Sequence, residues 1–280
     1  MSIAVMLAVL GSAFLHALWN SLMKVGTSRL QAMVTLSLGE VIIGLPVALI
    51  WGQGFQTAAV PWVVASGVTH FFYKFFLAQA YAHGDLSRVY PIARGTAPLL
   101  IGLASGLVLP DVISPLEYAG IAVLGAGILL MAQGVFRDGE SRRLIPFALG
   151  SACATAAYTV IDGSGARLSL NAVAYVAWVF VADGAGFAAI MLAWKGRSLL
   201  PADRATGLRG ALAAAASYGA YAVSVWAMTI APIALVAALR ETSILFAVLI
   251  GFFLFGERMT PGKAVAAAII VGGVMLTRLG

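Results

Sequence analysis

The sequence predicts an all-α integral membrane protein of ten transmembrane helices, arranged as two inverted five-helix repeats. Composition is the first observation behind this prediction, since 61% of the 280 residues are hydrophobic and only 10% are charged. The mean hydropathy is +0.98. These values lie outside the range of soluble domains of this length, so lipid is the expected surroundings of the chain.

Apolar segments of membrane-spanning length are the second observation. About 20 helical residues cross a ~30 Å hydrocarbon layer, and segments of that length recur along the whole chain. The predicted spans are residues 2–23, 29–51, 60–82, 86–108, 114–134, 144–165, 170–193, 208–230, 232–255 and 261–278. The first lacks the basic leader of a signal peptide, so we expect it to be retained as a span. The single cysteine, Cys153, excludes an internal disulfide and a cysteine-based metal site.

The lysines and arginines divide unevenly between the two predicted membrane surfaces. Of the 17, three lie inside apolar spans and the other 14 lie near span ends. Twelve share one side, namely Lys24, Arg29, Arg88, Arg137, Arg142, Arg143, Lys195, Arg197, Arg204, Arg209, Arg258 and Lys263. Only Arg167 and Arg278 lie on the other side. The positive-inside rule makes the rich side cytoplasmic and places both termini in the periplasm. Charge distributed in this way does not indicate a nucleic acid partner.

An internal repeat is the third observation. VYPIARGTAPLL, residues 89–100, lies on LVAALRETSILF, residues 235–246, after a shift of 146 positions, which puts Arg94 on Arg240. Closer to the start of each half, a shift of 139 positions aligns GSAFLHALWN with GSACATAAYT. Self-similarity over this length indicates a duplicated unit.

The two predicted units are residues 1–137 and residues 144–280, each with five helices. Because five is odd, the second unit must enter the membrane in the opposite orientation to the first. The basic clusters agree, since they follow the first and third spans of one unit and the second and fourth spans of the other. Inverted repeats of this kind recur in secondary transporters, where two related halves form a path between them.

Four stretches carry a resemblance to a known family: YAHGDLSRVYPIARGTAPLL, WAMTIAPIALVAALRETSIL, FGERMTPGKAVAAAIIVGGVML and LPDVISPLEYAGIAVLGAGILLM. With these stretches the chain resembles the drug/metabolite transporter superfamily, specifically EamA-type proteins made of two five-helix repeats. The resemblance covers the whole chain. It implies a transport mechanism without naming the cargo, because members move solutes as varied as amino acids, drugs and sugar derivatives.

Six ionisable side chains fall well inside the predicted spans. They are Glu40, Lys74, Arg94, Asp183, Arg240 and Glu241. Each costs at least ~2.5–3.5 kcal/mol at mid-bilayer unless a partner or a hydrated cavity receives it. One interpretation is a central cavity with cationic and aromatic walls. The other is that the charges pair, for instance Arg240 with Glu241 or Arg94 with Glu40, and hold helices together.

Polar and aromatic residues recur on the same helix faces as these charges, which favours the cavity. The candidate solute-binding residues are His16, Trp19, Asn20, Glu40, His70, Tyr73, Lys74, Tyr90, Arg94, Tyr158, Tyr218, Tyr221, Trp226, Arg240 and Glu241. Among them the two histidines are equally consistent with a structural role in the core. Asp162 is expected to be solvated near a loop, and Pro91 and Pro98 are expected to loosen the helix around Arg94.

In the predicted function, Arg94, Arg240 and Lys74 face an anionic or zwitterionic group of a solute. Glu40 or Glu241 carries a coupling proton. The predicted protein is a gradient-driven secondary transporter, an exporter of a small polar, zwitterionic or anionic metabolite by alternating access. Its predicted location is the bacterial inner membrane.

No cofactor, metal or nucleic acid is expected as a partner of the chain. Gly262 and Lys263 lack the frame of a nucleotide-binding loop. The expected partners are a small-molecule solute, the lipid bilayer and a proton, and the expected assembly is a monomer or a homodimer. Two alternatives remain open: an intramembrane enzyme, and a small-molecule receptor or regulatory membrane subunit.

We predict that both termini face the periplasm, from the uneven division of basic residues. Alkaline phosphatase needs the periplasm for activity, whereas green fluorescent protein fluoresces in the cytoplasm. Fusion of each reporter to Gly280 should therefore give phosphatase activity without fluorescence. Cytoplasmic fluorescence without phosphatase activity would contradict the topology.

Overall fold

The fold is all-helical. The computed structural model describes residues 1–23, 28–83, 86–130, 142–201, 203–255 and 260–280. Within these ranges the chain forms eleven α-helices and no β-strand. The helices are α1 (Ile3–Leu22), α2 (Arg29–Trp51), α3 (Val60–His83), α4 (Leu86–Val108), α5 (Pro115–Leu130), α6 (Leu144–Ser169), α7 (Ala172–Lys195), α8 (Arg204–Ile230), α9 (Ile233–Arg240), α10 (Ser243–Phe255) and α11 (Pro261–Leu279). Lys24, Arg137 and Arg258 lie outside the described residues, as do the side chains of Arg29, Arg88, Tyr90 and Pro91.

Each predicted apolar segment contains a helix, and the ninth segment contains two, α9 and α10. Among the described residues, seven helical stretches are long and apolar enough to cross a membrane, with Ile233–Phe253 counted as one stretch. Shorter apolar helices cover Ile92–Val108 and Pro115–Leu130. Helices of this length and composition are typical of a multi-pass membrane protein.

Polar caps fix where several helices begin. A side-chain oxygen of the residue before the helix accepts a backbone N–H from its first turn, in the manner of an N-cap. The capping residues are Ser2, Ser28, Asn171, Asp203 and Thr260. Hydrogen bonds from Thr206 hold the pKa of Asp203 below its usual value. The caps therefore define the first residue of each of these five helices.

The helices of the two halves pack mainly on each other. The most extensive interfaces join α3 to α6, α5 to α11, α2 to α7 and α1 to α8. Two further interfaces join α4 to α6 and α1 to α10. Exchanging each helix for its predicted repeat equivalent turns the α1–α8 pair into the α6–α3 pair, and leaves α2–α7 and α5–α11 unchanged. A twofold relation between the halves would produce this pattern.

A break separates α9 from α10, at Glu241 and Thr242. Here the backbone hydrogen bonds join residues three apart in sequence instead of four. Thr242 N donates to Leu239 O at 3.1 Å, and Ile244 N donates to Glu241 O at 3.2 Å. The Thr242 hydroxyl also donates to Leu239 O, at 2.6 Å. The break lies in the copy without prolines, whereas α4 continues through Pro91 and Pro98. The expectation that the prolines would loosen the first copy was therefore wrong.

Glycines allow α5 and α11 to approach closely. A methyl carbon built on Gly273 would lie 2.6 Å from Leu124 N, and one built on Gly127 would lie 3.0 Å from Ile270 N. These two glycines are equivalent under the shift of 146 positions. Each therefore faces the backbone of the other's helix, where a side chain has no room. Small residues at such contacts are typical of membrane helix pairs.

We predict that Gly273→Ala destabilises the protein while Gly272→Ala does not. A methyl carbon at Gly272 meets nothing within 4 Å, and both substitutions gain the same helix propensity. The difference between the variants therefore isolates the clash, for which overpacking costs about 1–3 kcal/mol. Thermal unfolding in detergent measures it, and equal melting temperatures would contradict the α5–α11 packing.

Candidate solute-binding site

Two arginines, one from each half of the chain, converge on a single carboxylate. Arg94 of α4 places Nη1 3.3 Å from Oε1 and 3.4 Å from Oε2 of Glu241. Arg240, the last residue of α9, places Nη2 3.4 Å from the same Oε1. Arg94 and Arg240 are each 2% exposed and Glu241 is 1% exposed. With one carboxylate between two guanidinium groups, the cluster has one positive charge in excess.

Arg94 is held by the first and third helices of its own half. Its Nη2 contacts His16 Nε2 on α1 and lies 3.2 Å from the hydroxyl oxygen of Tyr73 on α3. The indole Nε1 of Trp19 lies 3.2 Å from the other ring nitrogen of His16. An imidazole has at most one acceptor nitrogen. His16 can therefore accept from Arg94 or from Trp19 but not from both.

Arg240 has equivalent surroundings in the second half. Its Nη2 donates to Thr159 Oγ1 on α6 at 3.3 Å. The guanidinium carbon lies 5.8 Å from the ring centroid of Tyr158 on α6 and 5.9 Å from that of Tyr221 on α8. Because α1 and α3 correspond to α6 and α8 in the predicted repeat, each arginine contacts the first and third helices of its half. Cation–π contacts of this kind stabilise a buried guanidinium.

Lys74 of α3 lies between two carboxylates in a second cluster. Its Nζ is 2.7 Å from Glu40 Oε2 on α2 and 2.7 Å from Asp183 Oδ2 on α7, and it donates to Ser37 Oγ at 2.8 Å. An ammonium group has three hydrogens, and these contacts use all three. The predicted contact of Lys74 with a solute would require one of them to break.

All six charged side chains that the sequence places inside spans are thus paired. The expected pair of Arg240 with Glu241 is present, but the pair of Arg94 with Glu40 is not, because Glu40 pairs with Lys74. The opposite charges offset the desolvation of each ion. Among the described residues, Asp183 Oδ1 and Arg240 Nε are buried and have no hydrogen-bond partner. Each cluster therefore keeps one unused polar atom.

A third cluster surrounds Asp162 of α6. The Tyr175 hydroxyl donates to Asp162 Oδ1 at 2.9 Å, and the Tyr221 hydroxyl donates to Oδ2. His70 Nδ1 lies 4.0 Å from Oδ2. The His70 ring stacks on Tyr158 with the centroids 4.0 Å apart. This cluster joins α3, α6, α7 and α8, and Tyr158 and Tyr221 also border the arginine cluster.

The expectation that Asp162 is solvated was wrong. The predicted span ended three residues beyond Asp162, but α6 continues to Ser169, about two helical turns beyond it. Asp162 is 0% exposed. The signal that could have identified it is the helical spacing of Thr155, Tyr158, Thr159 and Asp162, which lie on one polar face of α6.

Trp226 does not lie with the buried candidates. It is 42% exposed and belongs to an exposed stripe of α8 that includes Leu212 at 54% and Ile230 at 58%. A stripe of large apolar side chains is typical of the lipid-facing side of a membrane helix, and the contact of Trp226 with a solute stays a prediction.

The remaining candidates form local contacts. Asn20 donates from its amide nitrogen to His16 O on its own helix at 2.8 Å. The Tyr218 hydroxyl donates to Val173 O at 3.3 Å. Trp19 is buried, at 4% exposed. The side chain of Tyr90 lies outside the described part of the chain, so its predicted role stays a prediction.

Comparison with known families identifies the second half of the chain. Residues 142–279 match the EamA-like transporter family. This half is similar to an EamA-like transporter unit. The family is part of the drug/metabolite transporter superfamily, in agreement with the resemblance found in the sequence. Transporters of this family have a small-molecule solute and a bilayer as partners. No curated protein matches the chain.

Solved structures share the fold of this chain over its whole length. One crystal structure is 20% identical, covers 99% of this chain and 98% of its own, and has a TM-score of 0.76. At that identity the likeness concerns the fold alone. The match to this solved structure includes the first half of the chain, which lies outside the family match.

We predict that Lys74→Met destabilises the protein far more than Asp183→Asn. Removing the lysine leaves two buried carboxylates facing each other, and breaking a buried pair costs about 3–5 kcal/mol. Asp183→Asn leaves the pair of Lys74 with Glu40 in place. Melting temperatures in detergent compare the two variants, and a Lys74→Met protein as stable as wild type would contradict the second cluster.

Proposed function

We propose that the protein is a gradient-driven secondary transporter that exports a small polar, zwitterionic or anionic metabolite by alternating access, across a bacterial inner membrane. The observation that carries the proposal is the convergence of Arg94 and Arg240, one from each half, on the shared Glu241. A site built from equivalent positions of two repeats lies where the halves meet. Secondary transporters bind their solutes at such an interface, near the membrane midplane.

Glu241 indicates the chemistry of the solute. Its carboxylate occupies the position between the two guanidinium groups that a carboxylate or phosphate of a solute would take, because arginine binds planar anions through a fork of donors. The buried Nε of Arg240 offers one donor more. A solute anion would replace Glu241 at one arginine, and the ammonium group of a zwitterion would then pair with Glu241. Tyr73, Tyr158 and Tyr221 would contact its apolar part.

Alternating access is supported by the twofold pattern of helix pairing. We propose ten membrane spans in two inverted repeats, residues 1–137 and 144–280, with α9 and α10 forming the ninth span. Broken helices near the midplane are typical of transporter sites, since freed backbone groups at that depth face a cavity or protein. Arg240 and Glu241 lie directly at this break, and their side chains are in contact.

A group of polar contacts at the predicted periplasmic side would have to break before a solute is released. Arg167, at the end of α6, pairs with Asp111 between α4 and α5, with Nη1 2.8 Å from Oδ1. Arg167 also donates from Nε to Met228 O at 2.8 Å and from Nη2 to Ala231 O at 3.0 Å. Asp111 Oδ2 accepts the N–H of Ile233, at 2.8 Å, where α9 begins. These contacts tie the two halves together at one end of the proposed path.

The decisive experiment is solute flux through the purified protein in liposomes. A thermal-shift screen of amino acids and small carboxylates in detergent selects the solute. We expect uptake of that solute to follow an imposed gradient. A solute that binds but is not moved would support a receptor or regulatory subunit instead, and a solute that is chemically converted would support an intramembrane enzyme.

We predict that Arg94→Ala nearly abolishes transport and that Arg94→Lys impairs it measurably, because lysine keeps the charge but lacks the fork of donors. Glu241 retains Arg240 as a partner in both variants, so the protein should remain folded. Arg204→Ala, at an exposed arginine on the predicted cytoplasmic side, is the control and should transport normally.

Melting temperature and flux measured on the same preparation separate the two roles of Arg94. An arginine that serves the fold alone predicts a loss of about 3–5 kcal/mol in stability when it is removed. An Arg94→Ala protein that is unstable but still transports would refute the solute-binding role.

A further inference from the structure

We propose that Asp162 is a proton-binding group, at a site separate from the arginine cluster. The site itself follows from the burial and contacts of these residues. Its coupling to solute movement rests on the proposed function. The inference moves the coupling proton away from Glu40 and Glu241, where the sequence had placed it.

The partners of the buried carboxylates distinguish Asp162 from the others. Glu40 and Asp183 lie 2.7 Å from Lys74, and Glu241 lies between two arginines. These cations are permanent, so the three carboxylates have a cationic partner in the ionised form, which Glu40 and Asp183 share. Within the described ranges, the ion-pair partner of Asp162 is His70, which is charged only when protonated. An ionised carboxylate without a permanent cation is costly in a dry interior, and such a group binds a proton instead.

Among the helices packed on α6, three place groups around Asp162, namely α3, α7 and α8. His70 and Ser66 lie on α3, and the Ser66 hydroxyl is 3.1 Å from His70 Nδ1. Tyr175 on α7 and Tyr221 on α8 donate to the carboxylate. Arg240 on α9 approaches the ring of Tyr221, with the guanidinium carbon 5.9 Å from the ring centroid. Arg94 on α4 is directed to Glu241, and the 3₁₀-helix Thr57–Ala59 carries no titratable side chain.

The contacts allow proton exchange without loss of the cluster. One proton passes from hydronium to Asp162: an O–H bond forms on the carboxyl group, one O–H bond of hydronium breaks, and water is left. The second carboxyl oxygen can still accept a phenol, and the proton returns to water when it leaves. Tyr221 then links the two sites, because its hydroxyl bonds Asp162 while its ring packs against Arg240. A movement of Arg240 toward a solute would therefore change the position of Tyr221 and, through its hydroxyl, the hydrogen bond to Asp162.

Infrared difference spectroscopy of the full chain in lipid vesicles tests the proton site without any solute. Acidification should produce the C=O stretch of a protonated carboxyl group, and Asp162→Asn should remove that band. Asp183→Asn is the matched control, since it removes another buried carboxylate that has a permanent cation, and it should keep the band. A wild-type difference spectrum that Asp162→Asn leaves unchanged would overturn the proposal.

A second variant keeps the proposal testable if Asp162→Asn does not fold. Tyr175→Phe removes one donor to the ionised carboxylate, so the midpoint of the infrared titration should move to higher pH. An unchanged midpoint would contradict the assignment to Asp162.

Flux measurements distinguish the proton site from the proposed function. Uptake of the solute chosen by the thermal-shift screen should respond to an imposed pH gradient in wild type and lose that response in Asp162→Asn. Wild-type uptake that ignores the gradient, with the infrared band intact, would refute proton coupling and leave the proton site standing.

Discussion

The desolvation of charge governs the interior of this protein. A lone ion in a low-dielectric interior costs several kcal/mol, so each buried carboxylate needs a cation or a proton. Glu241 meets this requirement for two arginines at once, and in doing so it joins α4 to α9. Arg240 is the last residue of α9, so this carboxylate lies at the break between α9 and α10. The connection between the halves at this point therefore depends on one carboxylate.

The two halves do not contribute equally to that carboxylate. The position equivalent to Glu241 in the first half is Gly95, where a methyl carbon would lie 3.0 Å from Ile128 Cγ2 and 3.1 Å from Leu129 N. A glutamate has no room there, since α5 packs against the backbone. Two equivalent arginines consequently share one acid, which leaves the excess positive charge that a solute anion would neutralise.

The sequence predicted the helices well because apolar length is a local property. The positions of all ten segments and the six buried charges could be identified from their surroundings along the chain. The partners of those charges could not, because Arg94 meets Glu241 and Lys74 meets Asp183 across helices that are far apart in sequence. Asp162 was expected to be solvated because the predicted span ended a few residues before the end of α6. The exposure of Trp226 could not be predicted either, because spacing alone does not distinguish the exposed face of α8 from the buried face.

The interleaved pairing of the helices has a consequence for synthesis. Because the most extensive interfaces join α1 to α8, α2 to α7, α3 to α6 and α5 to α11, the first five helices emerge from the ribosome before their main partners exist. Until α6 to α11 follow, Lys74 has Glu40 but not Asp183, and Arg94 has no Glu241. The nascent first half must therefore stay in the bilayer without some of its ion-pair partners. The native packing can form only when the second half has been synthesised.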